Sequence, residues 1–345
     1  MDSDFTSALY LGLRHEAQQL GDWPALTSGK PAALALPPLA NALAATLARL
    51  MGQQAACLLP SSLHLFWDLF GMLARAPVAL LVDSAAYPVA RWGANCRQLP
   101  CLQFRHGDAA AAADLAARAA GAGQRPILLA DGYTPGDAAA PPLAAYAAIA
   151  ARHGGWLVLD DTQALGVLGE AGSGSGRLPG LAGKVLIGAS LAKGFGAPLA
   201  VLAGSSAVLQ RFAACSVTRV HCSPPNMAAL LAGQRALEVN RLAGAGLRAA
   251  LRERVLALRQ VLAEAGLACQ GGMFPVQHVP LASAAQAVRV AAGLRRRGVR
   301  VLVQGRGVTL LLRADHTAAE VAHAGAAIVQ LWENEHDASI RSTGI

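Results

Sequence analysis

The chain has 345 residues, 54% of them apolar and 14% charged, with a net charge of +8. That balance excludes an intrinsically disordered chain and leaves room for two domains, or one large and one small. The basic excess admits an anionic partner such as a phosphorylated cofactor. Its one dense cluster, Arg295 to Arg297 in "LRRRG", reads as a solvated helix end with no groove-reading motif, so nucleic-acid binding is not expected.

In chain order, "MDSDFTSALYLGLRHE" lacks a basic start followed by an apolar run, so no leader peptide is expected. The most apolar region, Cys57 to Val82, is interrupted by Pro60, Asp68, Arg75 and Pro77. It is too broken to supply the roughly 20 residues of a membrane span. "PVALLVD" (Pro77 to Asp83), "PILLAD" (Pro126 to Asp131), "WLVLDD" (Trp156 to Asp161) and "KVLIGAS" (Lys184 to Ser190) read as buried parallel strands. Between them, "DAAAAADLAARAAG" and "PPLAAYAAIAARHGG" read as helices. The alternation predicts an α/β fold with a mainly parallel sheet covered on both faces. All four strands end in Asp or Ser, and ligands in such folds sit at the carboxyl ends of strands.

After about Pro225 the pattern changes. A helical tract from Asn226 to Gly266 precedes "FPVQHVPLA", a helix ending near Gly298, and the runs "VRVLVQ" and "VTLLLRAD". This predicts a smaller α+β domain. The expected division is an N-terminal segment 1–40, a large domain 41–225 and a small domain 226–345. The glycine- and serine-rich Gly169 to Gly180 reads as a connection or an active-site loop. The six cysteines (57, 96, 101, 215, 222 and 269) form no CxxC pair and stand at no ligand spacing with His. They fit a reduced, cytoplasmic compartment without a metal site.

Two residues carry the chemistry. Asp160 ends a strongly apolar strand, where a partly desolvated carboxylate wants a cation. Lys193, in "GASLAKGFGAPLAVLAG", is a lone cation among small apolar residues just after the next strand. A salt bridge, or a helix cap by Asp161, is the plain alternative. Yet an amine in an apolar setting has its pKa lowered and becomes a nucleophile for an aldehyde. Ser190 and the backbone near Gly194 and Gly196 offer what a phosphate needs. Aldehyde, phosphate and a ring nitrogen paired with a carboxylate together describe pyridoxal 5'-phosphate (PLP).

"GWLVLDDTQALGVLGEAGSGSG" followed by "GASLAKGFGAPLAVLAGS" resembles the α-oxoamine synthase family of fold-type I PLP-dependent enzymes. "YLGLRH", "FRHGD", "DGYTPGD", "SPPN" and "LLLRADHT" fall in the family's order along most of the chain. The resemblance implies that Asp160 pairs with the PLP nitrogen, Lys193 forms the Schiff base and Ser190 binds phosphate. It also implies cofactor-binding roles for Tyr87, in place of a stacking His, and for Gln163, in place of a His near the phenolic oxygen. Ser62, Leu63 and His64 stand in place of a Ser-Gly-Phe phosphate loop, and Thr134 lies in "DGYTPGD". The implied activity is condensation of an amino acid with an acyl-CoA or acyl-carrier thioester with loss of CO₂, in a homodimer.

The departures lie at the substrate end. The family's glycine-rich amino-terminal segment is here "LTSGKPAALALPPLA", shortened and apolar. Its carboxylate-gripping arginine stands seven to nine residues ahead of a His. Counting back from His316 gives Gly307 to Thr309, so Arg306 takes the role only with a register shift, and Arg313 reads as a strand residue pairing with Asp315. A PLP-dependent aminotransferase and a non-catalytic partner subunit are the alternatives, the second disfavoured by the intact Lys193.

Overall fold

The computed structural model describes residues 3–23, 25–95, 98–137, 140–181 and 185–343. Lys184, the expected first residue of a strand, and Cys96 lie outside them. The elements run β1 (Ser3–Asp4), α1 (Pro38–Leu50), β2 (Ala55–Leu59), α2 (Ser62–Leu73), β3 (Val78–Asp83), α3 (Pro88–Asn95), β4 (Cys101–Phe104), α4 (Ala109–Gly121), β5 (Arg125–Asp131), α5 (Leu143–Arg152), β6 (Trp156–Asp160), β7 (Val185–Ser190) and β8 (Ala200–Gly204). They continue as α6 (Ser206–Cys215), α7 (Val217–His221), α8 (Met227–Glu264), β9 (Val276–Pro280), α9 (Ala284–Arg296), β10 (Val299–Arg300), β11 (Leu302–Gln304), β12 (Gly307–Leu311) and α10 (Ala318–Thr343). None of the described helices is long and apolar enough to cross a membrane.

Contacts divide the chain into two units. The larger comprises Leu13–Thr134 and Ala140–Gly244; the smaller comprises Met1–Gly12, Pro135–Ala139 and Ala245–Ile345. The division falls inside α8 rather than at the change of pattern near Pro225. The helix runs on through it, so sequence periodicity carries no mark there. The first twelve residues group with the smaller unit because β1 pairs in parallel with β10.

The larger unit is built on a seven-stranded sheet in the order β2-β8-β7-β6-β5-β3-β4. The run from β7 to β4 is parallel; β8 is antiparallel to both its neighbours. Successive side chains of a strand point to opposite faces. Accordingly Leu128, Leu157, Leu159 and Ile187 join one core with α1, α4 and α5 residues. Ile127, Leu129, Val158 and Leu186 join another with Leu65, Phe66, Leu69 and Phe70 of α2. Burial on both faces explains the unbroken apolar runs of these strands.

The strand directions bring Asp83, Asp131, Asp160 and Ser190 to one edge of the sheet, at the carboxyl ends of β3, β5, β6 and β7. The chain winds outward from β3 to β4 and in the opposite sense from β5 through β7. The topological switch point therefore lies between β3 and β5, where this architecture leaves a crevice.

In the smaller unit, β11, β12 and β9 form an antiparallel sheet. Arg295 and Arg296 occupy the last turn of α9 and Arg297 its C-cap, the helix end expected from the sequence.

Candidate active site

The turn after β7 sets Lys193. Leu191 and Phe195 bracket it from the buried side, and the Phe195 amide donates to the Leu191 carbonyl. Gly194 lies against the Leu165 carbonyl and Gly166, so a side chain there collides with backbone. This glycine allows a close approach of two turns. His15 holds the same turn from the amino-terminal segment: its Nε2 lies 2.8 Å from the Phe195 carbonyl oxygen and donates to it. Burial holds this imidazole below its ordinary pKa, with the Arg235 charge acting the same way against the carbonyl's pull.

Asp160 is buried and accepts the Thr162 amide at 3.1 Å. Burial raises its pKa, opposed by Thr162 and by the Lys193 charge. Lys193 shows the reciprocal effect. Burial lowers its pKa, and the nearby charges of Asp160 and Asp131 oppose the shift. The Thr162 hydroxyl accepts the Ser190 amide at 2.9 Å, fastening the end of β7 to the turn after β6. Ser190 Oγ accepts from the Ala192 amide at 3.3 Å.

Asp161 caps no helix. It is fully buried and accepts the Ser175 amide at 2.8 Å and hydroxyl at 2.7 Å, which anchors the Gly169–Gly180 connection beneath the strand ends. Burial pushes its carboxyl up to about 6. Arg177 of the same connection donates to the Leu50 carbonyl at 2.9 Å, at the carboxyl end of α1. The connection is thus a pinned structural segment.

Tyr87 follows β3 with its ring about half exposed, 5.7 Å from Lys193 Nζ to the ring centroid. Its amide donates to Asp131 Oδ1 at 3.0 Å, across the switch point. Gln163 is half-buried in the turn after β6. At the start of α2, Ser61 caps the helix, its hydroxyl 2.8 Å from His64 Nδ1. Among the described residues the first-turn amides of Ser62 and Leu63 find no acceptor, the ordinary condition of a helix N-terminus that favours an anion. The Thr134 hydroxyl is buried and, among the described residues, has no hydrogen-bond partner.

Asp131, Thr162 and His15 are the functional neighbours that residue-by-residue reading misses. Asp131 was visible as a strand-ending acid, but its place beside Asp160 depends on sheet order. Arg306 lies in the smaller unit, exposed in the turn between β11 and β12, where it lines a cavity of about 440 Å³. Arg313 does not stand on the strand; it lies two residues beyond β12. It pairs with Asp315 at 2.8 Å as expected and also donates to the Asp4 carbonyl at 2.6 Å. Its guanidinium is therefore committed to structure.

Residues 11–328 match the family model for aminotransferase class I and II. A segment of 232 residues is 32% identical to an 8-amino-7-oxononanoate synthase from Thioalkalivibrio sulfidiphilus, covering 64% of this chain and 58% of that protein. A putative 8-amino-7-oxononanoate synthase from Bordetella pertussis is 32% identical over 262 residues, 74% of this chain and 65% of that one. The chain thus spans about three fifths of the length of the curated relatives it matches. Among solved structures, a serine palmitoyltransferase from Sphingomonas wittichii superposes with a TM-score of 0.84 at 17% identity, over 96% of this chain and 88% of that one. An 8-amino-7-oxononanoate synthase from Francisella tularensis gives 0.77 at 16% identity, over 97% and 99%. These likenesses establish the fold, that of fold-type I enzymes.

Proposed function

Because the chain belongs to the aminotransferase class I and II family, we propose that it is a PLP-dependent transferase and, within that family, an acyltransferase of the α-oxoamine synthase kind. The reaction is condensation of an amino acid with an acyl thioester, with loss of CO₂. The single observation that carries the cofactor reading is the meeting of Lys193, in the turn after β7, with Asp160 at the carboxyl end of the neighbouring β6, each charge acting on the other. The curated relatives named as 8-amino-7-oxononanoate synthases support the acyltransferase reading.

The residues present fit PLP. The orphaned, buried Thr134 hydroxyl is a group awaiting a partner. The free amides of Ser62 and Leu63 suit a phosphate, and Ser190 adds a hydroxyl. Bound PLP supplies an electron sink for carbanion chemistry next to the substrate nitrogen. Lys193 would hold the cofactor through its amine and would move protons at the reacting carbon. Asp160, buried beside the Lys193 cation, would pair with the ring nitrogen. Tyr87 stacks on the ring, Gln163 donates a hydrogen bond without acting as acid or base, and Arg306 grips the substrate carboxylate. Cytoplasmic location and a homodimer complete the proposal.

Incubation of the chain with an amino-acid and acyl-CoA panel tests the reaction. Release of free CoA that depends on Lys193 is the expected result; amino-group exchange without CoA release instead assigns an aminotransferase. Gln163 favours keeping that second reading, since the position carries no acid–base group.

A further inference from the structure

The run "FRHGD", Phe104 to Asp108, places a side-chain cluster beside the switch point. β3 and β4 pair in parallel, with Asp83 opposite Phe104 at their carboxyl ends, and His106 follows two residues later. The Phe104 ring meets Tyr146 of α5 edge-on, with centroids 5.4 Å apart. Asp83 is buried and gathers donors from both sides. The Tyr146 hydroxyl donates to its Oδ2 at 3.0 Å and the Gly107 amide at 3.4 Å. His106 Nδ1 lies 2.6 Å from its Oδ1. Every other partner of this carboxyl group is a donor, so the imidazole donates as well. Burial and the Asp83 charge push the Tyr146 hydroxyl far above its usual range, which keeps its proton on the bond.

The remaining donor to Asp83 is the Ala85 amide at 2.9 Å, inside the turn that leads from β3 to Tyr87. All four amides of that turn are engaged. Ser84 donates to the Phe104 carbonyl at 3.0 Å, Ala86 to the Asp83 carbonyl at 2.9 Å and Tyr87 to Asp131 Oδ1 at 3.0 Å. His106 adds a second hold, its own amide donating to the Ser84 hydroxyl at 2.9 Å. Tyr87 is 51% exposed, so packing does little to fix its ring and the pinned backbone carries that task.

We propose that His106, Asp83 and Tyr146 form a clamp that positions Tyr87 for the cofactor. Asp83 is its hub, joining the turn on one side to two side-chain donors on the other. His106 acts through Asp83, as a positioning residue rather than a catalytic one. Removing its donor leaves a buried carboxylate short of a partner, and the network it shares with the turn loosens. The Tyr87 ring is then no longer preorganised to stack. What Tyr87 does rests on the PLP reading above; what holds Tyr87 rests on the hydrogen bonds alone.

The test compares His106→Leu, which removes the donor, with His106→Asn, whose amide reaches Asp83 from the place of Nδ1. Two quantities are read on the full chain: PLP affinity by fluorescence titration, and amide hydrogen exchange across residues 84–87 without PLP. His106→Leu is expected to weaken PLP roughly fivefold, a large part of an aromatic stack. It is expected to speed exchange of the Ala85 amide by about tenfold or more, and His106→Asn restores both. In a Tyr87→Ala background His106→Leu costs no further PLP affinity, because the two act as one unit; a merely structural role gives additive losses. If His106→Leu does not fold, Tyr146→Phe, which removes the other side-chain donor, takes its place in the same cycle. The proposal is overturned if the donor-deleted variant binds PLP as the wild type does, if its loss adds in full to that of Tyr87→Ala, or if His106→Asn fares no better than His106→Leu. A wild-type chain that binds no PLP overturns the cofactor reading instead. Exchange then decides the clamp, and unchanged exchange in the donor-deleted variant refutes it.

Discussion

Asp131 and Asp160 stand opposite one another in register at the carboxyl ends of neighbouring parallel strands, and Lys193 is the cation that acts on both. Two buried carboxyls this close are not both ionised without cost. Burial, reinforced by the Asp160 charge, pushes Asp131 up to about 8. An unfolded aspartate titrates near 3.8, so the folded chain holds an extra proton between these values. The stabilisation is full below the lower value, declines as pH rises, and is gone above the upper one. Asp131→Asn removes the titration and keeps an acceptor for the Tyr87 amide. Urea unfolding at about pH 5, 7 and 9 is expected to show a falling midpoint in the wild-type chain and a flatter profile in the variant. Parallel profiles contradict the account.

The role proposed for Tyr87 rests on its ring rather than its hydroxyl. Its backbone is fixed by Asp131, and its ring lies over Lys193. Tyr87→Phe is expected to leave PLP affinity essentially unchanged, whereas Tyr87→Ala weakens it roughly tenfold, the scale of a lost aromatic stack. A fluorescence titration of the apo chain measures both. Equal losses in the two variants assign the role to the hydroxyl instead.

Asp68 of α2 supports the fold. It is buried and accepts the Ser216 and Thr218 hydroxyls and the Val217 and Thr218 amides, which anchors the start of α7. Asp68→Ala leaves several donors without partners and is expected to cost about 1–3 kcal/mol or more in urea unfolding. Each donor's own loss adds to that figure, so a neutral result rules out the network as a structural anchor.

The strands that position the site are legible in the sequence because burial on both faces makes their apolar runs continuous. The four expected strands match β3, β5, β6 and β7 to within a residue at the described ends. The other three strands of the sheet escape that reading for separate reasons. β4 is a four-residue edge strand exposed at three positions. β2 lies at the start of an interrupted apolar stretch, and β8 lies inside the glycine-rich sequence that draws attention to Lys193. Lys193 and Asp160 stand out locally, as charges in apolar surroundings. Asp131, Thr162 and His15 do not, since their partners come from strand order or from contacts 28 to 180 residues away.

The most direct measurement of the central claim is an absorbance titration of the purified chain with PLP. The account predicts a saturable visible band at one equivalent per chain, fixed irreversibly by borohydride at Lys193 and absent in Lys193→Ala. No band in the wild-type chain, or the same band in Lys193→Ala, contradicts it.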